Sequence, residues 1–76
     1  MKDLLAALAR ALVEDPDCVR VTERPSDGGT LLELEVAPED LGKVIGKRGR
    51  TAEALRSLLG AVGRRRGTSC RMEILD

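Results

Sequence analysis

Between Ile45 and Arg50 the chain runs Ile-Gly-Lys-Arg-Gly-Arg, two glycines three residues apart with two cations between them. Gly46 and Gly49 take side-chain bulk out of a short loop and Lys47 and Arg48 bring positive charge to it, so the backbone of a polyanion can approach closely. Where such a loop opens a helix, the amides at the helix's positive end add to the attraction for phosphate. That chemistry is binding. Arg50 and Arg56 are flanking cations. From Lys43 to Arg71 nine basic residues face a single acid, Glu53, a net charge of +8, whereas the rest of the chain carries four bases and twelve acids. The formal net charge of zero thus conceals a basic segment suited to phosphate and an acidic remainder that is not.

Other chemistries are excluded or disfavoured by composition and spacing. There is no histidine, so imidazole general-base catalysis, a His-based triad and most zinc sites cannot be built. Gly42 to Arg48 resembles a nucleotide phosphate loop only superficially: three residues instead of four separate the glycines, Arg48 stands where Ser or Thr must hold magnesium, and a helix precedes the loop. Glu33 and Glu35 alternate as solvent-facing strand residues do, which argues against paired-carboxylate catalysis. The residues point to no enzyme, metal or cofactor. Cys18 and Cys70 fit neither a redox nor a metal-ligand spacing and are expected to be small buried hydrophobes in a reducing compartment. The apolar stretch Leu4 to Ala9 is too short for a signal peptide or a membrane span, which leads to an expected cytoplasmic, soluble protein.

The elements that must position the loop follow from periodicity. Lys2 to Glu14 places Leu4, Leu5, Leu8, Ala11 and Leu12 at helical spacing, and Asp15-Pro16-Asp17 ends that helix. Cys18 to Arg24 and Thr30 to Ala37 alternate as two strands, with Leu32, Leu34 and Val36 inward and Pro25 to Gly29 as the turn of a hairpin. Pro38, Glu39 and Asp40 suit the start of a helix of about two turns ending at Val44 or Ile45. After the Gly-Lys-Arg-Gly interruption a second helix runs from Arg50 or Thr51 to Arg65, burying Ala52, Leu55, Leu58, Leu59 and Val62. Arg64-Arg65-Arg66 closes it, where cations suit a helix C-terminus but serve stability, RNA or a protein equally well. Gly67 follows, and Ser69 to Leu75 resumes strand alternation with Cys70, Met72 and Ile74 inward. Val44, Ile45, Leu32 and Leu34 are the aliphatics available to wall a groove beside the loop, most of them better suited to the core.

A Gly-x-x-Gly loop within a strand, helix, helix, strand unit resembles the GXXG signature of the KH domain, carried here by Val44 to Arg56. Essentially the whole chain fits. The added first helix and strand resemble the type II arrangement, an α+β fold of order α-β-β-α-α-β with a three-stranded sheet and helices packed on one face, one domain over residues 1–76. A free-standing KH domain of this size is similar to the KhpA family of bacterial RNA-binding proteins. That resemblance implies single-stranded RNA binding, in a groove about four nucleotides wide, by Ile45, Gly46, Lys47, Arg48, Gly49, Arg50 and Arg56. It further implies a homodimer or a heterodimer with a KhpB-like KH protein, and an RNA-chaperone role in post-transcriptional regulation linked to cell elongation and envelope homeostasis. Two departures from the broad KH pattern matter: Ala52 stands where many KH domains carry a larger aliphatic, and no aromatic is present for stacking, which favours weak, sequence-tolerant binding.

At 76 residues without Phe, Tyr or Trp, an aliphatic core alone leaves little margin for stability, so a partner is plausible on physical grounds. The competing expectation is a KH-fold interaction or dimerisation module with weak or no RNA binding. Single-stranded DNA is a further alternative, separable by the response to the 2′-hydroxyl.

Overall fold

The computed structural model describes residues 1–76. Three helices and three strands follow in the expected order: α1 Lys2–Leu12, β1 Arg20–Ser26, β2 Gly29–Glu35, α2 Leu41–Ile45, α3 Arg50–Arg65 and β3 Ser69–Ile74. The sheet order is β1-β2-β3, with β1 antiparallel and β3 parallel to β2. This is the α+β architecture of a type II KH fold. No helix is long and apolar enough to cross a membrane.

Period-two alternation puts Leu32 and Leu34 of β2 and Cys70 and Met72 of β3 on the helix-covered face, where they meet Leu5 and Ala9 of α1, Val44 of α2 and Ala52, Leu55 and Leu59 of α3. Leu5, Leu32, Leu34, Val44 and Leu59 are fully buried. The opposite sheet face carries Arg20, Arg24, Glu33, Glu35, Arg71 and Glu73, with Arg24 paired to Glu33.

Several expectations need correction. Cys18 is exposed, not a buried strand residue, because Pro16–Cys18 form a short 3-10 turn and β1 begins only at Arg20; Cys70 is buried as expected. The hairpin turn contracts to Asp27 and Gly28, since Pro25 and Ser26 still pair with Thr30 and Gly29. Pro25 is tolerated there because β1 is an edge strand. The α1 stripe is rotated, with Leu5, Ala6 and Ala9 buried and Leu12 exposed. In α3, Leu58 is 43% exposed and Val62 only partly buried, while Gly63 completes the buried row Ala52, Leu55, Leu59. The helix expected from Pro38 divides into a 3-10 turn, Pro38–Asp40, and the five-residue α2.

Asp40 does not cap α2 with its side chain. Its carboxylate instead accepts the backbone N–H groups of Glu14 (3.2 Å) and Asp15 (3.0 Å), with Lys43 Nζ at 3.3 Å. Desolvation pushes this carboxyl's pKa upward, but those three donors outweigh it and hold it below the ordinary value. The effect is to tie the segment leaving α1 to the entry of α2, and hence to steady the element that delivers the glycine loop.

Candidate nucleic-acid interface

The loop between α2 and α3 is built by backbone conformations that few residues adopt. Gly46 has φ 78° and ψ 167°, Arg48 has φ 59° and Gly49 has φ 73°. Arg48 is the one non-glycine residue with positive φ, a conformation costing about 1 kcal/mol for a residue with a Cβ. Local hydrogen bonds hold the shape: Gly46 N donates to Gly42 O at 2.8 Å and Gly49 N to Gly46 O at 3.0 Å.

The two glycines serve different ends. A Cβ on Gly46 would collide with Thr51, so this glycine lets α2 and α3 approach. A Cβ on Gly49 would meet nothing within 4 Å, so its bare backbone faces open space. Lys47 and Arg48 between them are exposed, as is Arg50 at the positive end of the 16-residue α3. Neither Lys47, Arg48 nor Arg50 takes part in a salt bridge within the chain. Lys43 does, being held by Asp40 and, at 3.9 Å, by Glu14, so its charge is largely spent inside the fold.

Beside the loop lies a shallow groove of about 320 Å³. Leu41, Ile45, Ala52 and Ile74 form its apolar surface, and Gly49 and Arg56 line it on the α3 side. Ile45 is 40% exposed, so a large aliphatic is available to an incoming planar group. Arg56 Nε donates to Met72 O at 3.4 Å, which stretches its side chain from α3 toward β3. A phosphodiester backbone crossing Gly49, flanked by Lys47 and Arg48, can thus drop its bases against Ile45, Ala52 and Ile74.

Of the residues expected from the sequence, Ile45, Gly49 and Arg56 line the groove, while Gly46 shapes the loop and Lys47, Arg48 and Arg50 supply exposed charge beside it. Val44, Leu32 and Leu34 are not groove walls; all three are fully buried. Leu41, Ile74, Glu73 and Asp76 also line the groove and were not expected there. Leu41 had a usable signal, since it stands four residues before Ile45 and shares its face of the helix. The contribution of the β3 end depends on long-range parallel pairing, for which nothing local signals. Asp76 brings a carboxylate to the groove lining, whereas Glu73 borders it from β3 with its side chain on the open sheet face.

Residues 2–74 match the family model described as KhpA/KhpB, KH domain. The chain is 51% identical over 75 residues to the RNA-binding protein KhpA of Treponema pallidum, covering 99% of this chain and 94% of that protein. It is 47% identical over 76 residues to the proteins of the same name from Aquifex aeolicus, covering all of this chain and 96% of the relative, and from Halalkalibacterium halodurans, covering both in full. No solved structure matches the chain.

Proposed function

The chain belongs to the KhpA/KhpB family of KH domains, a family of binding modules and not of enzymes, and from that premise we propose that it binds single-stranded RNA through the loop Gly46-Lys47-Arg48-Gly49. The observation that carries this is the bare face of Gly49, open to solvent, flanked by two unpaired cations and opening directly onto the apolar groove of Ile45, Ala52 and Ile74. Phosphates lie on the loop and bases in the groove, with Arg56 at its edge and Arg50 alongside. Supporting the same assignment, the three relatives described above are named RNA-binding proteins.

With no aromatic platform, base contacts rest on aliphatic packing and affinity on phosphate, which suits weak and sequence-tolerant binding. That in turn suits an RNA chaperone, working as a homodimer or with a KhpB-like KH protein in post-transcriptional control of cell elongation and envelope homeostasis. The exposed Leu58 of α3 is apolar surface available to such a protein contact. Two cysteines free of any disulfide fit a cytoplasmic setting.

Titration of the isotopically labelled protein with an eight-nucleotide single-stranded RNA tests the site. Amide resonances of Ile45 to Arg56 and of Ile74 are expected to move together, with little change in α1. Shifts confined to α1 or to the open sheet face would overturn the assignment.

A further inference from the structure

At the other end of α3 the cluster Arg64-Arg65-Arg66 has no evident structural task. The carbonyls of Val62, Gly63 and Arg64 are already satisfied, because Arg66 N donates to Val62 O and Gly63 O, Gly67 N to Arg64 O and Thr68 N to Gly63 O. None of the three arginines engages in a salt bridge. The cluster is therefore not consumed by capping the helix or by neutralising an acid.

Arg64 in addition lines a cleft. Together with Gly28, Gly60, Gly67, Thr68 and Ser69 it borders a depression of about 500 Å³. Its guanidinium is folded back over the helix: a Cβ built on Gly60 would lie 3.4 Å from an Arg64 terminal nitrogen. The cation thus lies along the helix surface over Gly60, on the side of Arg56. Arg56, Gly60 and Arg64 form one row along α3 at four-residue spacing, so the cleft and the GXXG groove lie at the two ends of one seam between α3 and β3. At the groove end β3 contributes Glu73 and Ile74; at the cleft end it contributes Ser69 and Cys70. Because β3 is an edge strand, no further strand covers the seam.

We propose that this seam is a continuous RNA track, and that the Arg64 cleft is a second phosphate-binding station for strands longer than the GXXG groove holds. This rests on RNA occupying the groove as proposed above. From Gly49 to Arg64 the helix rises about 22 Å, the span of roughly six or seven phosphates at 3.4 Å per stacked nucleotide. The partner chemistry is a polyphosphate strand: a guanidinium, two hydroxyl-bearing side chains and a glycine-bordered wall suit an anion, and Cys70 is the one hydrophobic residue on the lining.

The test compares a five-nucleotide and a twelve-nucleotide single-stranded RNA of uniform composition, each bound to wild type, Arg64→Glu and Arg65→Glu, with the fold of each variant checked by circular dichroism. Arg65 carries the same charge one residue on, about 100° round the helix, and does not line the cleft. Wild type is expected to bind the longer RNA more tightly. Arg64→Glu should weaken the longer RNA by roughly threefold to tenfold and lower its log-log salt slope by about 0.7, leaving the short RNA nearly unchanged, while Arg65→Glu should do much less. Equal losses from the two variants, equal losses on the two RNAs, or no loss from Arg64→Glu would overturn the second station while leaving the groove intact. Failure of wild type to bind either RNA would overturn both.

Discussion

A Cβ placed on Gly46 would overlap Thr51 Oγ1 and fall 2.7 Å from the Thr51 backbone nitrogen, whereas one on Gly49 would touch nothing. The first glycine of the loop is thus held by packing between two helices and by its positive φ, the second by its positive φ alone. Gly49→Ala should accordingly cost about 1 kcal/mol, the penalty for a Cβ in the left-handed region. Gly46→Ala should cost more, about 2–4 kcal/mol, since backbone as well as side chain must move. Urea denaturation of both variants measures the difference; equal destabilisation would contradict the separation of roles.

Asp40 makes the stability of the fold depend on pH. Its folded-state pKa lies below the ordinary value of 3.8, so ionised Asp40 contributes stability in full above that value and loses it as pH falls through the lowered one. Asp40→Asn can still accept one of the two N–H groups but not both, and it forfeits Lys43. The variant is expected to melt several degrees below wild type at pH 7, on the order of 5–10 °C, with the gap narrowing below about pH 4. A gap that stays constant from pH 7 to pH 3 would contradict the role assigned to the carboxylate.

Adjacent leucines of α3 should behave in opposite ways. Leu59 is fully buried and Leu58 is 43% exposed, so Leu59→Ala should cost about 3 kcal/mol and Leu58→Ala less than about 1 kcal/mol. Denaturation at low protein concentration reads the intrinsic values. Comparable losses would mean that α3 is rotated from the orientation described.

The two cysteines give a chemical check on the same packing. Cys70 is buried, and desolvation raises its thiol pKa. Cys18 is exposed, but its hydrogen bond to Asp15, with slight desolvation and the charges of Asp15, Glu39 and Asp17, raises its pKa too. A disulfide reagent at pH 8 should modify one thiol in the native protein, more slowly than free cysteine because less thiolate is present, and the second only on unfolding. Two thiols reacting at once would contradict the burial of Cys70.

Much of this architecture is legible in the chain because its signals are local. Alternation in Thr30 to Ala37 and the helical spacing through Ala52, Leu55 and Leu59 identify the elements, and the paired glycines mark the loop. What resists reading is set by tertiary geometry. Leu58 and Leu59 are both apolar and sit one step apart on the helix, so only the angle at which α3 meets the sheet decides which is buried. Cys18 fits a strand by pattern, but the Pro16–Cys18 turn keeps it outside β1. Ile74, Glu73 and Asp76 reach the groove because β3 pairs in parallel beside β2, forty residues earlier in the chain. Asp40 looks like an ordinary helix-start acid until the end of α1 is brought to it.

The most direct test of the RNA grip is the affinity of a labelled single-stranded RNA measured at several salt concentrations for wild type and for Lys47→Asp/Arg48→Asp. Aspartate tolerates the left-handed conformation at position 48 better than most residues, so the double variant should retain its circular dichroism spectrum. Two to four phosphate contacts give an expected log-log slope of roughly −1.5 to −3 for wild type, with binding lost in the folded variant. Unchanged RNA affinity in the double variant, or the absence of RNA binding by wild type, would contradict the account and leave a KH-shaped module whose partner is a protein.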